Sequence, residues 1–454
     1  MPINSTNVGN DPTVSGWVYD SGTRGTLDII YGCVAVLVAA VWTVVHLNVP
    51  AKGESDGRVV LRRVRWGLVS VFAPDVLTMV AAAQWVSATE SLQQMKELSG
   101  TDGWTLVHAF YALSGGFVLQ TPDTETFPIN AASVHYLVSR GYIALPSITR
   151  EEIWDKSKAD VFAKGLAILQ GGWIIIQAIA RTAQGLPLTP LELFTLAFVV
   201  STAMSYFFWW RKPQHVGTPT PIECLVPMSK IWADAGYPED MPYSGTPMDF
   251  VEKASQHWKR RSMFENFDLE SAEWKEDSAN PPLKNGVRVE RGHTQTQTNT
   301  PNMISSQRPR QRIADDAVMA ARLPTKVVAM LMVPSMLHSG IHLAGWNHTF
   351  PTSAEQTVWR VCAVVLVAMS SAAVGLVRVL GQAKYRGRYN MLWVWVNADA
   401  DAARPAAWDV LLGLTTLSLV LARCFLIMEV CISLRQLPAR TFVDVDWTHY
   451  IPHV

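Results

Sequence analysis

Two histidines four residues apart, His338 and His342, stand in an otherwise apolar run, with Ser335 three residues before the first. At i and i+4 they share one helix face, a spacing that can offer two imidazoles to a metal ion. Such a site needs a third ligand and further groups to orient the rings; His108 and Asp75 are candidates from other apolar runs. HxxxH is a short pattern, so a hydrogen-bonded polar seam between helices is the preferred reading, and no metal is assigned. Asp75 lies near the middle of the apolar run 66–88, where an isolated charge in hydrocarbon costs at least ~3 kcal/mol. It must be protonated, paired or hydrated. Pro74 beside it frees a backbone carbonyl and opens a polar niche; a neutral acid bonded to a neighbouring helix and a substrate or proton site are both compatible with this. Arg423 and Glu429 occupy the last apolar run, six apart and on different faces, so each needs a partner from another helix. The candidate intramembrane polar site is therefore Asp75, His108, His342, Arg423 and Glu429, with no catalytic residue and no cofactor assigned.

Those residues need elements to hold them. Runs of about 20 apolar residues match the ~30 Å hydrocarbon core at 1.5 Å rise per residue. They occur at 29–47, 66–88, 104–120, 163–180, 191–210, 327–346, 358–380 and 408–432. The expected fold is all-α, a polytopic membrane helix bundle of about eight transmembrane helices, or seven if 104–120 does not span. The segments after residues 47, 210 and 380 are rich in Lys and Arg (AKGESDGRVVLRRVR, RKPQHV, GQAKYRGR), which favours the cytosol for all three. Two N-glycosylation sequons, at Asn4 and Asn347, would be usable only on the lumenal side. With eight spans all these constraints agree: both termini and Asn347 lie outside, the basic loops inside. His342, His108, Arg423, Glu429 and Glu192 then fall in the outer half of the membrane, as a cavity open to the exterior would require; Glu192 and Glu429, near span ends, would also suit interfacial anchoring.

The resulting organisation is a lumenal segment 1–28, membrane helices 1–5 over 29–210, a cytosolic loop 211–326, membrane helices 6–8 over 327–432 and a tail 433–454. Thr149 and Glu152 form a capping-box pattern that opens a short surface helix. The first half of the 211–326 loop has enough aromatic residues to pack on the membrane domain. About 263–316 is polar and poor in β-branched apolar residues, which predicts disorder. The 5 cysteines form no CxxC, so neither a disulfide framework nor a zinc ribbon is indicated. The 38 basic and 38 acidic residues balance, which leaves no field favouring nucleic acid; membrane lipids are the expected partners. No cleavable signal peptide is evident, and the first apolar run would serve as signal anchor.

The pieces RGTLDIIYGC with VWTVVHLNVP, EEIWDKSKAD, QAIARTAQGLPLTPLEL, WWRKP, GTPMDF, GIHLAGW with FPTSAEQTVWR, and SLRQLP with YIPHV carry a resemblance. The chain resembles a large fungal family of uncharacterised multi-pass integral membrane proteins, from about residue 16 to its end apart from the polar linker. The resemblance implies a multi-helix membrane fold and no activity. It implies histidine at position 342 and leaves 338 open, which counts against schemes needing both.

No P-loop, GxGxxG, GxSxG or HExxH stands in a supporting context. The favoured expectation is a non-enzymatic transporter, receptor or organiser in the secretory pathway or plasma membrane. The alternative is a membrane-embedded enzyme acting on a lipid or isoprenoid through the polar cavity, the least favoured variant being a zinc amidohydrolase suggested by Ser335, His338 and His342.

Overall fold

The computed structural model describes residues 12–19, 23–99, 103–157, 161–238, 243, 245–253, 308–316, 325–382 and 406–447. The fold is predominantly helical. The long helices are α1 (Thr26–Val44), α2 (Asp56–Phe72), α3 (Pro74–Ser99), α7 (Val161–Ala183), α8 (Pro190–Trp209), α11 (Thr325–Leu343), α12 (Ser353–Gln382) and α13 (Ala406–Ile432). Among the described residues, four helices are long and apolar enough to cross a membrane: α1, α7, α8 and α13; α2 and α3 meet the same test only as a pair. The eight spans expected from the sequence are not found.

Two of the expected spans are different objects. The run 66–88 is broken at Ala73, and the axes of α2 and α3 turn by 114° there. Pro74 has no N–H to continue the ladder of α2, so it opens α3 as its first residue. The run 104–120 gives α4 (Leu106–Leu113), eight residues long, which ends at Ser114 and passes into strand β2 (Phe117–Thr121). At 1.5 Å per residue such a helix covers ~12 Å, well short of the hydrocarbon core. Gly115, with φ 78°, makes the turn. A Cβ on Gly116 would lie 2.6 Å from the Tyr111 ring, so only glycine lets β2 leave so sharply.

Strand β2 pairs antiparallel with β3 (Thr124–Ile129) and parallel with β4 (Thr220–Glu223), in the order β3-β2-β4. This sheet joins the segment that follows α4 to the beginning of the 211–326 loop. Asp123, in its hairpin turn, accepts from Met228 N at 2.7 Å and Ser229 N at 3.0 Å, capping α9 (Met228–Asp234). The short helices α5 (Ala131–Ser139), α6 (Arg150–Lys156) and α10 (Asp249–Lys253) complete this unit. The expected capping box is formed: Thr149 Oγ1 accepts from Glu152 N at 3.2 Å, and Glu152 accepts from Thr149 N at 2.6 Å. One core runs from α3 through α4 and the sheet to Trp232; a second lies among α1, α7, α8, α12 and α13, around Trp359 and Leu426.

At the opposite end, β1 (Thr13–Ser15) pairs antiparallel with β5 (Gln436–Pro438). Arg181, fully buried, donates to the carbonyls of Pro187, Val443 and Thr441, holding the end of α7 to the C-terminal segment. The predicted disordered stretch 263–316 is only partly within the described residues. Its last part, 308–316, is docked rather than disordered: Arg310 N donates to Gly245 O at 2.8 Å, and Asn48 Nδ2 donates to Ala314 O at 2.8 Å. Buried Pro309, Ile313 packed near Gly115, and polar bonds to the buried Asp315 carboxylate hold it together.

Candidate functional site

Arg423, on α13, is the centre of the polar interior and is 5% exposed. One terminal nitrogen contacts His338 Nε2, and the other donates to Val71 O at 3.3 Å. Its guanidinium lies over the Phe194 ring, 5.2 Å from the centroid. Val71 is in the last turn of α2, where the break before Pro74 leaves carbonyls without helical donors; the guanidinium supplies one. Asp75, in the first turn of α3, is the acid that faces Arg423, and its carboxyl is hydrogen-bonded to Ser335. The break thus places a carboxylate and an open carbonyl around one buried cation.

The histidines line the same interior. His338 Nδ1 donates to Ala197 O at 2.8 Å, which puts the ring proton on Nδ1 and leaves Nε2 as acceptor for Arg423. His342 Nδ1 donates to His338 O at 3.0 Å; its Nε2 is buried and has no partner among the described residues. Trp359 Nε1 donates to His342 O at 3.1 Å. A Cβ at Gly345 would lie 2.9 Å from that indole nitrogen, so this glycine permits the close approach of α12. With both nitrogens of His338 engaged, the HxxxH pair is a hydrogen-bonded seam. Among the described residues, no three His, Cys, Asp or Glu are arranged to hold a metal ion.

The remaining sequence candidates lie elsewhere. His108 sits in α4: Nδ1 contacts Thr105 Oγ1 at 2.7 Å and Nε2 contacts Ile148 O at 2.8 Å. It pins the 148 loop onto α4 rather than joining Arg423. Glu429 is buried on α13, and its nearest charges are Glu355 and Arg435. Glu192 pairs with Arg24, and its other oxygen accepts from Thr189 N at 2.8 Å and Thr189 Oγ1 at 2.9 Å. Asn347 is exposed in the turn between α11 and α12; Asn4 lies outside the described residues.

A second buried polar cluster escaped the sequence reading. Lys212, just past α8, donates to His46 O at 2.6 Å, Asn48 Oδ1 at 3.0 Å and Gln84 Oε1 at 2.8 Å. Asp315 accepts from Asn48 N at 2.6 Å and from Arg62 at 3.1 Å, while its carbonyl accepts from Gln84 Nε2 at 2.8 Å. Arg62 also pairs with Glu54 at 3.0 Å. Burial opposes ionisation of Asp315, but Arg62, Arg312, the Asn48 N–H and Lys212 together hold its pKa below the ordinary aspartate value. The only sequence signal was two stretches of opposite charge, RRVR and ADD, with nothing in their spacing to pair them.

A helical bundle with four helices able to cross a membrane, and with charged groups compensated among them, defines a class compatible with membrane proteins. The chain belongs to a family of unknown function (DUF8562), which matches residues 2–228 and 324–454. No curated protein matches it, and no solved structure does.

Proposed function

We propose that the protein is a multi-pass integral membrane protein without catalytic activity, in a transport, receptor or organising role, and that transport through the Asp75–Arg423 site is the favoured form. The observation that carries this is the 114° break at Ala73, which delivers Asp75 and the open Val71 carbonyl to a buried arginine. Discontinuous helices whose ends meet charged groups inside a bundle are how many transporters build a binding site. The earlier resemblance to a fungal multi-pass family agrees with this reading.

The topology that fits best has six crossings, α1, α7, α8, α11, α12 and α13, with α2 and α3 as a re-entrant pair. The β1–β5 ladder brings both chain ends to one side, which requires an even number of crossings. Removing 104–120 from eight spans leaves seven, and folding α2–α3 back leaves six. The basic loops remain cytosolic, together with the sheet unit and 308–316, and Asn347 stays lumenal, in the secretory pathway or plasma membrane.

The test is thiol accessibility. In a chain with its 5 cysteines replaced, Ser335→Cys is exposed to a membrane-impermeant maleimide from each side of sealed vesicles. Transport expects labelling from at least one side, with its extent altered by Asp75→Asn; a closed organiser expects none from either. The enzyme alternative has one observation in its favour, the unpartnered His342 Nε2. It expects a lipid or isoprenoid to change in strains carrying His342→Gln, while uptake profiles stay constant.

A further inference from the structure

An open cleft of ≈ 490 Å³ lies between α1 and α7, at the end of the bundle where the chain ends meet and away from the Arg423 cluster. Its polar end holds Arg24, Asp28, Glu192 and Asp444; Ile29, Val36 and Ile174 also line it but are themselves almost wholly covered by neighbouring side chains. Arg24 is 8% exposed. One of its terminal nitrogens is bound by Glu192; the other, Nη1, is buried without a partner among the described residues. A buried guanidinium nitrogen without an acceptor is costly, and its natural complement is an anionic oxygen.

A simple anion does not fit the rest of the lining. Asp28, Glu192 and Asp444 stand against Arg24 and the buried Arg181, which is in electrostatic range of Arg24, Glu192 and Asp444; one negative charge is left in excess, so a lone phosphate would meet net repulsion at the cleft end. A ligand carrying a phosphate and an ammonium together satisfies both signs. Trp173 also lines the cleft, its ring stacked on Trp447 at 5.2 Å, and an indole face accepts an ammonium by cation–π attraction. The flanks outside the cleft are apolar and exposed: Leu27, Tyr31 and Val38 on α1, Leu169 and Ile179 on α7.

We propose that this cleft binds the headgroup of a zwitterionic phospholipid, its phosphate on Arg24 and its ammonium toward Asp28, Asp444 and Trp173, with an acyl chain along the exposed apolar flanks of α1 and α7. The exposed apolar flanks beside the cleft select a lipid over a free phosphodiester. The inference rests on the membrane reading above but not on transport.

Gly32 gives a clean test. It lines the cleft, and a Cβ there would meet nothing within 4 Å, so Gly32→Leu fills the space without a clash and improves helix propensity. The full chain, purified in detergent, is given phosphatidylethanolamine, phosphatidylcholine or phosphatidylglycerol, and bound lipid is counted by native mass spectrometry. The two zwitterionic lipids are expected to exceed phosphatidylglycerol about tenfold, the worth of one charge-assisted contact, and Gly32→Leu is expected to abolish the excess without lowering Tm. Arg24→Gln should act likewise, but it strips Glu192 of its partner, so Gly32→Leu decides. Equal binding of all three lipids, or an excess that survives Gly32→Leu, overturns the proposal. So does glycerophosphoethanolamine competing as well as the intact lipid, which would assign the cleft to a soluble zwitterion. Alkaline carbonate extraction of native membranes separates the two readings: a chain that is released refutes the membrane reading, whereas one that is retained but shows no selectivity refutes the lipid site alone.

Discussion

Lys212 gives up all three of its ammonium hydrogens to protein acceptors, yet it sits in a place that disfavours its charge. Burial pushes its pKa down to about 7, against the pull of Asp315. The folded chain therefore holds fewer protons than the unfolded one between about 7 and the ordinary lysine value of ~10.4. Stability from this group rises with pH through that window and is at its lowest, and constant, below it. Thermal unfolding in detergent should show a midpoint that climbs from pH 7 to pH 9, and Lys212→Met should flatten that climb. An unchanged slope in the variant would mean that other groups govern it. At this scale the sequence was legible where chemistry was locally costly: Asp75 beside Pro74 announced a polar niche, and Arg423 and His342 fell into it. His108 did not, because an apolar run says nothing of whether it forms a spanning helix or the core of a small folded unit. Lys212 and Asp315 had no local signature, since their pairing is made only by tertiary contact.

The segment 308–316 is the element whose order depends most on one side chain. Asp315 shares Arg62 with Glu54, so its removal leaves that arginine paired and costs the charge-assisted hydrogen bonds Asp315 itself accepts, about 1.5–3 kcal/mol each. Asp315→Asn should therefore release the segment, and trypsin should cut at Arg310 and Arg312 in the variant while sparing those bonds in the wild type; Arg308 is followed by Pro309 and is not a tryptic site. Its contribution is present above the ordinary aspartate value and is lost only as pH falls through the lower folded one, so docking should survive mild acid. Equal digestion of both chains would show that the bond network does not hold the segment. Helix limits were readable because length, apolar composition and caps coincide; α1, α7, α8, α11, α12 and α13 all lie within a few residues of the expected runs. The hairpin β2–β3 was missed although Gly115-Gly116 before FVLQ and the turn TPDT between two strand-like stretches were available. The apolar length of 104–120 was given more weight than that punctuation. The break at Ala73 was missed because Pro74 marks a kink but not its angle.

For the whole molecule, the sidedness expected from eight spans also follows from six crossings and a re-entrant pair, since both are even. The proposed arrangement keeps that parity although two of its elements differ from the expected spans, and the pairing of Thr13–Ser15 with Gln436–Pro438 is compatible with any even number of crossings. Protease protection on sealed vesicles should leave β1 and β5 resistant from the cytosolic side, with the sheet unit and 308–316 cut. Asn347→Gln should remove a glycan detectable by endoglycosidase shift. A protected sheet unit with exposed termini would invert the arrangement. The ladder also has a consequence for biosynthesis. Its partners are 423 positions apart in the hydrogen bond from Gln436 to Thr13, so β1 has no mate until α13 and then residue 436 have been synthesised. Until then its edge is bare, and edges recruit other chains. The ladder closes only after every long helix has been made, so a chain halted before Gln436 keeps that edge open.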